Sequence, residues 1–183
     1  MRENWLRKGE NKMELYVKRV QTPIGEITIY ANNKAVTGLY MGEYHHWKSA
    51  NARFQFAREK DTPVLLQAQK EINAYFAGKL TTFTVPVDVS GTAFQKAVWG
   101  ALQEIGYGEL WTYADVANRI GKPRACRAAG GAIGSNPVSI IIPCHRVIGS
   151  NATLTGFGGG LPAKQRLLEI EGHSIKNSRI SRS

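Results

Sequence analysis

The chain has 183 residues, 43% of them hydrophobic, and carries 24 Lys and Arg against 14 Asp and Glu for a formal charge of +10. That length supports one sizeable core or two small ones, and the basic excess points to a polyanion, either nucleic acid or an acidic membrane surface. No run approaches the roughly 18 apolar residues that span a bilayer.

Residues 1–12 are basic and lack the apolar stretch of a secretory signal, so they read as a flexible extension before Met13. Glu14–Val20, Ile24–Tyr30 and Ala35–Met41 are short β-type runs separated by T-P-I-G and A-N-N-K turns, which predicts an antiparallel meander. Tyr44–Lys60 shows no clean period and leaves room for a short helix, with His45 and His46 expected on a polar loop. Thr62 and Pro63 open a helix as N-cap and first-turn residue. Leu65, Ala68, Ile72, Tyr75 and Phe76 form its apolar stripe, and Gly78 ends it. Leu80 to Ser90 is extended.

The second half is helical. Thr92–Gln95 is a capping box, followed by an apolar face of Phe94, Val98, Leu102 and Ile105. Thr112 caps a short helix running to Ile120, and a third helix is expected over Arg124–Ile133 after the G-K-P-R turn. This pair has the form of a helix-turn-helix. The third helix has little bulk, and its adjacent Gly130 and Gly131 each cost roughly 1 kcal/mol relative to alanine. Either close helix packing or close approach to a DNA groove would favour them. Arg124 and Arg127 would share one face. Ile140–Ile148, I-I-I-P-C-H-R-V-I, reads as a buried strand loosened at Pro143. A glycine-rich loop over Thr155–Leu161 precedes a last helix from Pro162 to Glu171, closed by Gly172, and residues 173–183 read as a disordered basic tail.

The division is therefore a 1–12 extension, an amino-terminal α/β domain over 13–86, a linker at 87–91, a carboxy-terminal domain over 92–172 and a tail at 173–183. The fold class is α+β. Only Cys126 and Cys144 occur, so a disulfide framework is not expected and a reducing cytoplasm fits better. His45, His46, His145 and His173 have no zinc-type spacing, so no metal and no other cofactor is expected.

Cys144 and His145 are the candidate reactive pair. A free thiol is only a few per cent thiolate at neutral pH, and a neighbouring base raises that fraction. Adjacent residues on a strand point to opposite faces. Either the strand breaks at Pro143, or the proton leaves Cys144 through a bridging water, which tolerates imperfect geometry. A carboxylate is needed to orient His145, and Glu169 or Glu171 on the last helix is placed for it. Arg146 is expected to make a structural ion pair.

The segments Y-A-D-V-A, R-A-C-R-A-A-G-G-A-I-G-S-N-P, I-I-I-P-C-H-R-V, G-F-G-G-G-L and L-L-E-I-E-G resemble the O6-alkylguanine-DNA alkyltransferase family. The amino-terminal half resembles the family's small ribonuclease H-like domain more loosely. The resemblance implies direct DNA repair, with irreversible, once-only transfer of alkyl from O6-alkylguanine, and O4-alkylthymine, to Cys144. It implies that His145 deprotonates Cys144 through water, that Glu171 orients His145, and that Tyr113 assists the leaving guanine oxygen. Arg127 would fill the gap left by a flipped base. Arg124, Ala125, Ala128, Gly130 and Gly131 would face the DNA minor groove, and Asn136 would brace the turn after that helix. Carbonyls of Cys144 and Val147 would read the guanine amino group, with Phe157, Gly158 and Gly159 closing over it. The partner implied is double-stranded DNA carrying O6-alkylguanine, bound by a monomer largely without sequence preference and with room for cooperativity along the duplex. Phe157 departs from the tyrosine of many members, and Gly158 from the serine of some.

Two other classes compete. A DNA-binding module without chemistry would lack the acceptor cysteine, as alkyltransferase-like proteins do, and Cys144 is present. A cysteine hydrolase would need an oxyanion hole and turnover, for which the sequence offers no separate sign.

Overall fold

A computed structural model describes residues 14–42 and 54–181. The His45–His46 pair, the first twelve residues and Met13 lie outside them. Three strands, β1 (Tyr16–Thr22), β2 (Gly25–Ala31) and β3 (Val36–Met41), form the expected antiparallel meander. Gly25 turns the first hairpin at a φ of 98°. A 3₁₀ turn at Phe54–Phe56 leads into β4 (Arg58–Glu59), which joins β1 in parallel, so the sheet order is β3-β2-β1-β4 and the sheet is mixed.

Helix α1 (Pro63–Phe76) covers one face of the sheet. The Thr62 hydroxyl accepts from the Leu65 amide at 3.3 Å, Pro63 occupies the first turn, and Gly78 leaves the helix in the left-handed region. Glu71, though on the buried face, accepts from the Thr84 and Val85 amides and the Thr84 hydroxyl, and so fastens the extended 80–90 segment to α1. That segment continues along β3, where Val36 pairs with Val87. Further along the same edge, the Leu39 amide donates to the Pro137 carbonyl at 2.8 Å. The edge strand of the amino-terminal sheet thus carries both the linker and the loop that leads to Cys144, which also covers a row of backbone groups otherwise open to pairing.

Helix α2 (Ala93–Gln103) starts at the expected capping box. Gln95 completes that box and also reaches the Ser135 hydroxyl at 3.1 Å. β5 (Trp111–Thr112) precedes α3 (Tyr113–Arg119), capped reciprocally by Thr112 and Asp115. α4 (Cys126–Gly134) begins two residues later than expected, because Pro123 and Arg124 belong to the turn. The Trp99 indole donates to the Ala132 carbonyl at 2.8 Å and fixes α2 against α4.

The expected buried strand over 140–148 does not form. Val138 and Ser139 make only isolated bridges, and Ile140 turns the chain at a φ of 74°. Cys144–Arg146 is a 3₁₀ turn, and β6 (Val147–Ile148) pairs in parallel with β5. An apolar run signals burial but not extension, and Ile140 and Ile142 are fully buried in a turn. A left-handed β-branched residue is costly, on the order of 1–3 kcal/mol, and persists only where its surroundings over-determine it.

Helix α5 (Gly160–Ile170) follows the glycine-rich loop. Beyond it the tail is ordered through Ser181, contrary to the disorder expected of its charge: β7 (Ser174–Lys176) and β8 (Arg179–Ser181) form a hairpin. Asn177 and Ser178 both take positive φ, the turn that matches strand twist. Ile175 and Ile180, paired across the hairpin, pack on the small core of Ile148, Leu154 and Leu168. The main core is continuous, running from Ile27, Ile29 and Ile72 of the first half to Val98, Leu102, Ile142 and Leu167 of the second.

Candidate active site

Cys144 lies at the wall of a cavity of about 1050 Å³ bounded by α4, the start of α3, the glycine-rich loop and β3. Tyr113, Gly130, Gly131, Asn136, Phe157 and Gly158 line it together with Cys144. Leu39, Tyr40 and Met41 supply a wall from the amino-terminal domain that sequence patterning did not indicate. Val147 and Gly159, expected in the pocket, do not line it. The Val147 side chain is fully buried and its carbonyl accepts from Lys164 Nζ at 2.6 Å. A Cβ on Gly159 would stand 2.6 Å from the Met41 sulfur, so that glycine lets the loop pack closely on the tip of the Met41 side chain of β3.

The 3₁₀ turn decides how Cys144 and His145 relate. With three residues per turn, neighbouring side chains diverge by about 120° rather than pointing to opposite faces. His145 is completely buried, and its Nε2 lies 2.8 Å from Glu171 Oε1. A carboxylate only accepts, so Nε2 carries the proton and Nδ1 keeps its lone pair. His145 Nδ1 is buried and has no hydrogen-bond partner among the described residues. Of the two carboxylates expected near His145, Glu171 reaches it, while Glu169 bonds Gln165 and Arg166.

Glu171 is the most heavily bonded group of the site. Arg146 grips it through Nε at 2.9 Å and Nη2 at 3.0 Å, and the Gly108 amide donates to it at 3.2 Å. Arg146 also donates to the Ile105 carbonyl at 2.5 Å. Burial pushes the Glu171 carboxyl up, but the His145 contact and the Arg146 guanidinium outweigh that and hold it at about 2. It is therefore permanently anionic and orients His145 without accepting its proton. Burial lowers the basicity of His145, and Glu171 opposes that. Burial likewise pushes the Cys144 thiol up, against the side chains of Asn136 and Ser139 and the charge of Lys164, which favour the thiolate. Ser139 and Lys164 were not singled out from the sequence; their roles depend on chain reversals that carry no local signal. Burial pulls Lys164 down to about 8, and it bridges the Val147 and Thr155 carbonyls.

Asn136 spans its own loop, donating to the Ile142 carbonyl at 2.8 Å and accepting from the Val138 amide at 3.0 Å. The Tyr113 hydroxyl lies 2.7 Å from the Thr155 hydroxyl. The Phe157 and His145 rings meet in a T-shaped arrangement, with centroids 6.4 Å apart. On α4, Arg127 and Ala128 are exposed, and Arg124 is exposed in the preceding turn; Ala125 is half-buried. Neither arginine has an ion-pair partner among the described residues. Gly130 packs under the Tyr113 ring, and Gly131 faces open space. No cluster of metal-ligating side chains occurs among the described residues.

Two family models account for nearly the whole chain. Residues 14–89 match the ribonuclease-like domain of 6-O-methylguanine DNA methyltransferase, and residues 93–173 match its DNA binding domain. The chain belongs to the 6-O-methylguanine DNA methyltransferase family. Members similar to it include the methylated-DNA–protein-cysteine methyltransferase of Haemophilus influenzae, 43% identical over 86% of each chain. The constitutive enzyme of that name from Bacillus subtilis is 41% identical, covering 88% of this chain and 98% of its own. Among solved structures, the Mycobacterium tuberculosis OGT in complex with DNA superposes with a TM-score of 0.77 at 43% identity, covering 85% of this chain and 92% of its own. Within the methyltransferase family frame, Cys144, His145 and Glu171 all fall in the segment matched by the DNA binding domain, whereas Leu39, Tyr40, Met41 and Tyr75 come from the ribonuclease-like one.

Proposed function

We propose that the chain repairs DNA directly, moving an alkyl group from O6-alkylguanine to the sulfur of Cys144. The observation that carries this reading is the join of three things: a cysteine on the wall of a cavity roomy enough to admit a base, a neutral histidine next in sequence whose Nδ1 has no hydrogen-bond partner among the described residues, and a carboxylate that fixes that tautomer. His145 Nδ1 takes the Cys144 proton through a bridging water. The thiolate attacks the alkyl carbon, a C–S bond forms, and the C–O6 bond breaks with its electrons passing to the guanine oxygen. Tyr113 donates a hydrogen bond or proton toward that oxygen, leaving unmodified guanine and a stable thioether. Nothing regenerates the thiol, so each molecule acts once.

The alkyl carbon is out of reach inside a stacked duplex, so the base is extruded into the cavity, most cheaply where alkylation has already spoiled pairing. Arg127, exposed on α4 and without an ion-pair partner among the described residues, fills the vacated position in the stack, and the small residues of α4 let its backbone approach the minor groove. The net charge of +10 supplies phosphate attraction without sequence preference. O4-alkylthymine is a second substrate of the same chemistry, the protein acts as a monomer in the cytoplasm, and a cofactor has no step to perform.

Intact-protein mass spectrometry after incubation with O6-methylguanine duplex tests this. One methyl per chain, mapped to Cys144 and absent from Cys144→Ala, is the expected result. Methyl on Cys144→Ala, or unrepaired DNA at excess protein, would overturn it.

A further inference from the structure

We propose that Tyr75, from helix α1 of the amino-terminal domain, is a positioning residue of the Cys144 relay, holding Glu171 Oε1 and the His145 ring in one fixed arrangement. The proposal rests on the reading of Cys144 and His145 given above. Tyr75 is completely buried. Its hydroxyl donates to Glu171 Oε1 at 2.8 Å and lies 3.4 Å from His145 Nε2. Its ring and that of His145 form a T-shaped pair, with centroids 6.5 Å apart at 68°. Its other neighbours are the rings of Phe76, Phe83 and Tyr107, against which a phenylalanine would serve as well. The hydroxyl is therefore the informative atom. Burying one costs free energy unless it is bonded, and here its partners are the carboxylate and imidazole of the site. Burial, and then the neighbouring Glu171, push ionisation of the phenol far up, so it stays a donor.

The consequence is chemical as well as structural. Oε1 of Glu171 receives the Tyr75 hydroxyl, His145 Nε2 and Arg146 Nη2. Each donor draws electron density from that oxygen. Without the hydroxyl, Oε1 pulls harder on the imidazole N–H, and His145 becomes more basic. The groups facing His145 are Glu171 and Lys164 from α5, Cys144 and Arg146 beside it, Tyr75 from α1 and the more distant Tyr107. Of these, Tyr75→Phe alters only the phenol.

Transfer needs neutral His145, so rate falls as pH drops through its titration. In Tyr75→Phe the acid limb of single-turnover methyl transfer should move to higher pH by several tenths of a unit or more, with the rate near neutrality down several-fold. The same profile is read without DNA by iodoacetamide labelling of Cys144, quantified on its peptide. Phe76→Leu perturbs packing on the same helix and should lower thermal stability without moving either profile. Site-specific fluorotyrosine at position 75, a stronger donor of the same shape, should move the limb to lower pH and keeps the test open should Tyr75→Phe fold poorly. Unchanged profiles in both position-75 variants would overturn the proposal. A shifted iodoacetamide profile in a protein that takes no methyl from DNA would uphold Tyr75 and sink the repair reading instead.

Discussion

At the scale of single residues, the site is governed by one carboxylate. Glu171 caps the carboxyl end of α5, where the helix dipole disfavours an anion. Arg146 cancels that penalty and leaves the buried pair neutral. Glu171→Gln removes the negative partner and leaves the Arg146 guanidinium buried without one. A loss of roughly 3 to 5 kcal/mol in urea unfolding is expected, with methyl transfer falling about 100-fold or more as His145 loses the acceptor that sets its tautomer. The pH dependence follows in sign. Glu171 sits at about 2 in the folded chain against 4.5 ordinarily. Its contribution is therefore whole above pH 4.5 and is lost as pH falls from there through about 2. Urea midpoints measured down that range should drop in the native protein, and Glu171→Gln should lack this component. The sequence narrowed the partner of His145 to two glutamates on α5. The family resemblance chose Glu171 of the two, and the structure places its carboxylate on His145, because the two residues project differently on the last turn.

At the scale of elements, the helix starts were the most legible part of the chain. Thr62, Thr92 and Thr112 cap through bonds spanning three residues, so the signal is local. The 140–148 segment and the tail depart from the sequence expectation for the complementary reason. A left-handed Ile140 is imposed by packing from outside its own segment, and the β7–β8 hairpin depends on distant Leu154 and Leu168. The glycines of α4 were legible as an anomaly, and the structure separates them. A methyl on Gly130 would rest 3.6 Å from the Tyr113 ring, whereas on Gly131 it would meet nothing within 4 Å. Gly131→Ala should accordingly stabilise the fold by up to about 1 kcal/mol through helix propensity. If α4 enters the groove, the same methyl weakens duplex binding. Thermal melts and fluorescence titration on one preparation would show stability and affinity moving in opposite directions. Unchanged affinity would place the glycine's purpose outside DNA contact.

At the scale of the whole molecule, the two family-matched segments are joined by hydrogen bonds and by a shared core. The β3 edge bonds the linker at Pro86 and the active-site loop at Pro137, and α1 delivers Tyr75 to Glu171. Apolar side chains from both segments share one core. None of these long-range contacts was legible in the sequence, in which the extended stretch from Leu80 to Ser90 suggested a linker at 87–91. Cooperativity is the measurable consequence. Opening the sheet alone would expose Leu39 and Met41 on one side and strip the 137–138 loop of its backbone partners on the other. The amino-terminal sheet should therefore not open as a unit of lower free energy. Native-state hydrogen exchange in rising urea offers the comparison: amides of Ile27 and Ile29 in β2 against those of Val98 and Leu102 in α2, all fully buried. Convergence on one opening free energy is expected, together with a single urea transition. If β2 instead exchanged through a separate, less costly opening while α2 stayed protected, the amino-terminal domain would be an independent unit. Tyr75 would then leave Glu171 in every such opening, and the relay would be intact for only part of the time.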